Sequence, residues 1–401
     1  MNAAAIDAVV AAHLGKVFPA AAVVLRQHGA PVYRKAFGLL DPEAGSEPAS
    51  LDTFFDLASV SKLFCVAAFM ALVDDGLVTL DTPVRVALPA FSGPRPIAPY
   101  PDPLNPGGMI DATAGALGSV DASAVTFRHL LAHNGGLPAW LPFWRLTLRN
   151  TESVAKDEKH LWRVIENPTV LAAKREDMRA MALNTAFAYP IGTRVVYSDV
   201  GLILIGMAVQ ALTGKTLDTV VAERVAGPLG IRARYGPLPP EQCAPTEVYA
   251  HQPRRMRGAV HDENCYAFGG VTGHAGVFAT ADDVCAFGEH LRQCQAGTAR
   301  DPILRQSTLQ EMTRLQAEEA GTRRGLGFAL WSPLPRAASN PLDPSTFGHL
   351  GFTGTALWID PSRALSLACL TNHVYYGRNQ LDAQADFRVA FGRAVVAALE
   401  G

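Results

Sequence analysis

The feature that most limits the fold is where strand-like and helix-like segments fall along the chain. Two short apolar runs, Ala20–Leu25 and Val32–Phe37, flank a His28-Gly29 turn, a hairpin signature near the start. Strand-like runs return only at Gly276–Ala279, Thr355–Ile359 and Leu365–Leu370. Helical spacing fills the interval, at Leu57–Val73, Thr126–Ala132, Glu152–Glu166, Pro168–Leu183 and Asp199–Leu212, and marks both ends, at residues 2–14 and Leu381–Leu399. This predicts an α+β fold in which one antiparallel sheet, built from both ends of the chain and flanked by terminal helices, carries an inserted and mostly helical lobe. The expected division is residues 1–58 with 226–401 for the sheet lobe and 59–225 for the helical lobe. With 401 residues the chain is long for a single core, which fits two lobes. The proline-crowded stretch from Pro89 to Val120 reads as a long surface loop.

Composition narrows the function. Apolar residues make up 49% and charged residues 18%, a core-rich balance. The formal net charge of -2 offers no basic excess for nucleic acid or a membrane surface. No apolar run reaches the ~18–20 residues of a membrane span. The start, MNAAAIDAVVAAHLGKVFPA, has no cationic stretch ahead of its apolar residues and no cleavage signature, so the expected location is the cytoplasm. The six cysteines form no CxxC pair and no metal-ligand spacing, and their apolar neighbours predict buried free thiols.

Only seven lysines occur, so one inside an apolar helix is informative. In Ser59-Val60-Ser61-Lys62 the serine and lysine stand three apart and share a helix face. A serine that attacks a carbonyl needs a base within hydrogen-bond reach. Burial among Leu57, Leu63, Phe64 and Val66 is expected to disfavour the charge of Lys62 and make it that base. Chance supplies such a pair in roughly one chain of this composition in four, and a second copy exists at Ser153–Lys156. Context separates them: Ser153 lies in a charged segment, whereas Ser59 opens an apolar helix whose N-terminus can stabilise an oxyanion. Taken alone, Ser59 also reads as a helix cap and Lys62 as a surface charge.

Two further clusters bear on the same chemistry. Tyr197-Ser198-Asp199 precedes a helix that Asp199 is expected to cap. A tyrosine beside an ammonium can shuttle a proton to a leaving group, and Asp199 can bond Lys62 or substrate; the plainer alternative is a core tyrosine. In Gly348-His349-Leu350-Gly351-Phe352-Thr353-Gly354, three glycines in seven residues imply a close backbone approach, by substrate in this reading, or else a tight turn with a solvent-facing histidine. The backbone N–H of Phe352 could join that of Ser59 as an oxyanion hole, and His349 could bond substrate. His261, Asp262, Glu263 and His274 match no metal-ligand spacing and read as a glycine-rich turn near the site. His133 reads as a helix end, and Trp140, Phe143 and Trp144 as core or acyl-pocket aromatics.

With these blocks in this order the chain resembles the penicillin-recognising serine hydrolases, of which S-x-x-K is a signature, and more closely their class C β-lactamase-like branch of esterases, D-amino-acid peptidases and transacylases. The supporting stretches are LLAHNGGLP from Leu130, GAVHDENCYAFGGVTGHAGVFATADDV from Gly258, RGLGF from Arg324 and HLGFTGTALWIDP from His349. The resemblance implies a β-lactamase/transpeptidase-like fold, Ser59, Lys62 and Tyr197 as catalytic residues, Asp199, His349 and Gly351 as substrate-binding residues, and no metal or other cofactor. Asp199 stands where true β-lactamases usually carry asparagine and His349 where they carry lysine, which implies a weaker hold on a substrate carboxylate and poor β-lactam turnover. The expected function is hydrolysis of small esters or amides through a Ser59 acyl-enzyme; a D-amino-acid peptidase or weak β-lactamase, a transacylase and a non-catalytic binding protein are the alternatives.

Overall fold

The computed structural model describes residues 2–105, 107–111, 118–145, 168–248 and 255–400. The expected helix Glu152–Glu166 and the second serine–lysine pair, Ser153 and Lys156, lie outside the described residues.

An eight-stranded antiparallel sheet organises the molecule. Its strands are β1 (Ala20–Gln27), β2 (Ala30–Gly38), β3 (Ala317–Glu319), β4 (Thr322–Arg324), β5 (Ala329–Leu330), β6 (Phe347–Leu350), β7 (Ala356–Asp360) and β8 (Leu365–Thr371), in the order β3-β4-β5-β6-β7-β8-β1-β2. The N-terminal hairpin therefore joins the C-terminal strands by pairing β1 with β8, Val23 opposite Cys369. The hairpin turn is made by His28 at φ 51° and Gly29 at φ 86°, the left-handed pair a tight antiparallel turn requires.

Side chains alternate across the sheet, so each strand feeds two cores. Ala21, Val23 and Leu25 face the terminal helices α1 (Ala3–His13) and α5 (Leu381–Glu400), with Phe387, Phe391 and Val395 completing that layer. Ala22 and Val24 face the opposite core, shared with Phe287 and Leu291 of α4 (Ala281–Ala296). Among the described residues between the hairpin and α4, two long apolar helices matter most for the site: α2 (Ser61–Asp74) and α3 (Asp199–Thr213). Every residue of α2 from Ser61 to Leu72 is buried. An apolar pattern on all faces suits a helix enclosed on all sides, and it carries Lys62 inward.

Several expectations need correction. The Pro89–Val120 stretch is not a plain loop: Pro94–Pro96 pairs with Ser119–Asp121, and Tyr100–Pro101 with Met109–Ile110. Strands β3 to β6 are two to four residues long, too short to carry a period-2 pattern, and the expected turn at His349 is itself part of strand β6. Ser198, not Asp199, caps α3, accepting from the Gly201 N–H at 3.1 Å. The six cysteines are buried free thiols, as expected.

Candidate active site

The site forms where α2, α3, the segment 272–276 and the end of β6 converge. Ser59 lies in a short 3-10 turn, Ala58–Val60, just ahead of α2. Ala58 has φ 44°, a left-handed conformation that costs a non-glycine residue energy and persists only when its surroundings enforce it. Asp56 enforces it: its buried carboxylate accepts from the Ala58 N–H at 2.9 Å and from the His261 N–H at 2.6 Å. Burial pushes this carboxyl up to about 6 despite those two donors.

Lys62 Nζ donates to Ser59 Oγ at 2.8 Å and to the His274 carbonyl at 3.0 Å, and lies 2.8 Å from Asp199 Oδ1. Asp199 is free for this pairing because Ser198 takes the capping role. Burial pulls the lysine pKa down, but the Asp199 carboxylate and Tyr197 more than offset it, and the net shift is upward. The expectation of a neutral lysine created by burial is therefore overturned: a buried ammonium with a carboxylate in contact stays charged.

Tyr197 stands at the centre of this group. Lys62 Nζ lies 4.9 Å from its ring centroid and Arg324 Cζ 5.0 Å, while the His133 and His349 rings are 4.8 and 5.7 Å away. Its hydroxyl is buried without a well-formed hydrogen bond. Burial raises the phenol pKa, and Lys62 only partly counteracts that; the group is a protonated donor at neutral pH.

The two histidines differ in what they present. Nδ1 of His349 is 2.7 Å from the Leu350 carbonyl, which can only accept, so Nδ1 carries the proton and the buried Nε2 is a free acceptor. Nδ1 of His133 is 3.0 Å from the Ser198 N–H, which can only donate, so the buried, unpartnered Nε2 carries the proton. Burial holds both rings far below the ordinary histidine pKa, aided by the cations Lys62 and Arg324. His349 is thus a neutral acceptor, and not a partly charged substitute for a lysine.

The end of β6 is tied to Ser59 through the backbone. Thr353 Oγ1 donates to the Asp56 carbonyl at 2.7 Å and Thr355 Oγ1 to the Leu57 carbonyl at 2.8 Å. A Cβ on Gly351 would lie 2.0 Å from Thr355 Oγ1 and 2.5 Å from the Leu57 carbonyl oxygen. The glycine is demanded by this contact between the third and first sequence blocks, where the expectation was approach by substrate. Neither the Ser59 nor the Phe352 backbone N–H donates to any described residue. The Ser59 N–H stands at the start of a helix whose dipole favours negative charge, and the Phe352 N–H follows the end of β6.

Segment 272–276 was expected only as a neighbouring turn, yet it supplies a contact to Lys62. A Cβ on Gly273 would lie 2.0 Å from the Leu202 carbonyl, so glycine lets the segment sit directly on α3. His274 is braced on both ring nitrogens, by Thr272 Oγ1 at 2.8 Å and by Asp262 Oδ1 at 2.8 Å. Burial works against ionised Asp262, but His274 overrides it and the carboxyl falls to about 2. Asp199, Asp262 and His274 bring ligand-type atoms within 4.8 Å of one another. Those groups are already engaged, Asp199 with Lys62 and the other two with each other, and a metal ion would have to displace a buried ammonium. Sequence reasoning missed Asp56 and left Asp262, His274 and Arg324 without a role. The signal was present as a dense run of polar and titratable residues, HDEN with GGVTGHAG, inside a generally apolar chain. Phe143 and Trp144 are buried core residues.

An α+β fold with an antiparallel sheet flanked by helices, and a serine, lysine and tyrosine gathered at a helix N-terminus, define the β-lactamase/transpeptidase class. Residues 6–391 match the family described as beta-lactamase, and the chain belongs to that family. It is 28% identical over 397 residues to an N-acetylmuramyl-L-alanine amidase of Bacillus subtilis (strain 168), covering 92% of this chain and 80% of the relative. It is 31% identical over 383 residues to Esterase EstB of Burkholderia gladioli, covering 89% of this chain and 86% of the relative. Among solved structures, EstCE1, a hydrolase with promiscuous acyltransferase activity, superposes with a TM-score of 0.69 at 22% identity over 98% of both chains. No single helix among the described residues is long and apolar enough to cross a membrane.

Proposed function

We propose that this protein is a serine hydrolase that cleaves small esters or amides through an acyl-enzyme on Ser59. The observation that carries the reading is the simultaneous contact of Lys62 Nζ with Ser59 Oγ and Asp199 at 2.8 Å each, inside a wall where the lysine is buried.

In the resting site Lys62 is an ammonium and must lose a proton before it can accept one. Asp199, in contact with Nζ and partly exposed, is the route to solvent. Neutral Lys62 then takes the Ser59 proton as Oγ attacks the carbonyl carbon, and the Ser59 and Phe352 N–H groups stabilise the oxyanion. Tyr197 gives its proton to the leaving group and is recharged from Lys62, so the proton taken from serine replaces the one delivered. Water hydrolyses the ester formed on Ser59. His349 Nε2, an acceptor, is placed to receive a hydrogen bond from substrate. The resemblance to an esterase at 31% identity and to an amidase at 28% supports this substrate range.

The test is to quench a reaction with a short-chain p-nitrophenyl ester and map the added acyl mass by peptide mass spectrometry. Acyl on the peptide containing Ser59 is expected; turnover with acyl elsewhere, or with none, would overturn the assignment.

A further inference from the structure

Arg388 belongs to α5, on the terminal-helix face of the sheet, and reaches the turn that follows β6. Its Nη2 donates to the Gly351 carbonyl at 2.7 Å and to the Thr355 carbonyl at 3.3 Å. Its Nε is buried without a hydrogen-bond partner, and among the described residues no carboxylate pairs with the guanidinium. Trp358, Leu367, Phe387 and Phe391 line a small apolar gap beside it. Burial pulls its pKa down to about 10, which leaves it a cation at neutral pH. A buried cation without a counter-charge is costly, and packing alone gives no reason for a charge at this position.

The carbonyl that Arg388 grips belongs to the same peptide group as the Phe352 N–H. That peptide is trans, and a planar trans peptide aims its N–H opposite to its C=O. With the Gly351 carbonyl held toward α5, the Phe352 N–H points away from that helix. A charge-assisted bond to a carbonyl also polarises the amide and strengthens the donor at its other end. We propose that Arg388 is a positioning residue of the oxyanion hole, orienting and polarising the Gly351–Phe352 peptide so that the Phe352 N–H holds the developing oxyanion. The assignment rests on the reading of Ser59 and Phe352 given above. Gln384, one turn earlier on α5, supplies the comparison: its Nε2 donates to the Gly354 carbonyl at 3.4 Å, a neutral contact to the same turn but to a different peptide.

The test uses phenylboronic acid, whose boron bonds to Ser59 Oγ and sets a boron-bound oxygen where the oxyanion forms. The chain has two Gly-Phe pairs, Gly327-Phe328 and Gly351-Phe352, so carbon-13 at the glycine carbonyls and nitrogen-15 in phenylalanine select two amide signals in a magnetic resonance spectrum. The signal missing from Phe352→Leu is that of Phe352. In the parent protein its amide proton is expected to move downfield at saturating inhibitor; no movement would overturn the Phe352 reading and the Arg388 proposal with it. In Arg388→Gln the movement is expected to shrink, while the inhibition constant rises and kcat on p-nitrophenyl acetate falls, each by about 10- to 100-fold, with KM little changed. A parent-like movement in folded Arg388→Gln would overturn the proposal and leave the Phe352 reading standing. Gln384→Leu is expected to keep the parent values; equal losses in both variants would mean that α5 merely braces the turn, and would also overturn it. Should Arg388→Gln fail to fold, Arg388→Lys is measured in its place. It keeps the charge on a shorter side chain, so intermediate values are expected, and parent-like values in all three measurements would overturn the proposal.

Discussion

Lys62 and Asp199 face each other across 2.8 Å, with the lysine side chain 1% exposed and the aspartate 19% exposed. This contact sets the charge state of the site. Burial alone would favour the neutral amine, and the carboxylate reverses that. Resting Lys62 is a donor to Ser59, and in the proposed mechanism activation is the removal of one proton.

Asp199→Asn removes the carboxylate and leaves burial as the dominant influence, which lowers the lysine pKa. In the parent, activity rises as pH climbs toward the raised lysine pKa; in the variant, the acid limb of kcat/KM moves to lower pH. A pH–rate profile from 5 to 10 on a neutral ester checks this. An unmoved limb would mean that another group limits the rate.

Ser59→Ala is expected to lower hydrolysis at least about a thousandfold while retaining a cooperative thermal transition. Ser153→Ala, in the other serine–lysine pair, should keep activity within about twofold. Side-by-side rates on p-nitrophenyl acetate check both; the reverse pattern would reassign the nucleophile.

Gly351→Ala forces a Cβ to within 2.0 Å of Thr355 Oγ1 and 2.5 Å of the Leu57 carbonyl. Overpacking of this kind costs about 1–3 kcal/mol. Because the displaced backbone leads into Ser59, activity should fall by about a hundredfold. Denaturant titration and kcat on the same preparation check the two effects; a neutral result in both would contradict the geometry.

His274 holds its segment through Asp262, and its carbonyl holds Lys62. The Asp262 carboxyl is depressed to about 2, so its contribution to stability is present above the unfolded pKa near 4 and is lost as pH falls toward 2. The shift corresponds to on the order of 2 kcal/mol. Asp262→Asn should show a correspondingly smaller loss of stability between pH 5 and 2.5, and a lower kcat at neutral pH with KM little changed. Melting curves across that range and steady-state kinetics check the two parts.

The fold was legible where local pattern and tertiary environment agree. Val23 and Leu25 alternate with Ala22 and Val24 because both faces of β1 are covered, and the all-apolar run from Leu63 to Leu72 belongs to a helix enclosed on every side. Strands β3 to β5 were not legible, since segments of two or three residues, charged in β3 and β4 and a bare Ala-Leu pair in β5, hold their places through sheet pairing and not through propensity.

The site divides in the same way. The amino-acid sequence was enough to single out the candidate set, because Ser59 and Lys62 share a helix face at a spacing of three, and because Tyr197 and His349 stand in blocks whose order matches one family. Only the tertiary structure decided how those groups behave. It assigned the helix cap to Ser198 and left Asp199 to keep Lys62 charged, fixed His349 as an acceptor through the Leu350 carbonyl, packed Gly351 onto Leu57, and left Arg324 unpaired beside Tyr197. The physical reason is that protonation and hydrogen-bonding roles depend on the few ångströms around each group, and those neighbours come from segments far apart in the chain.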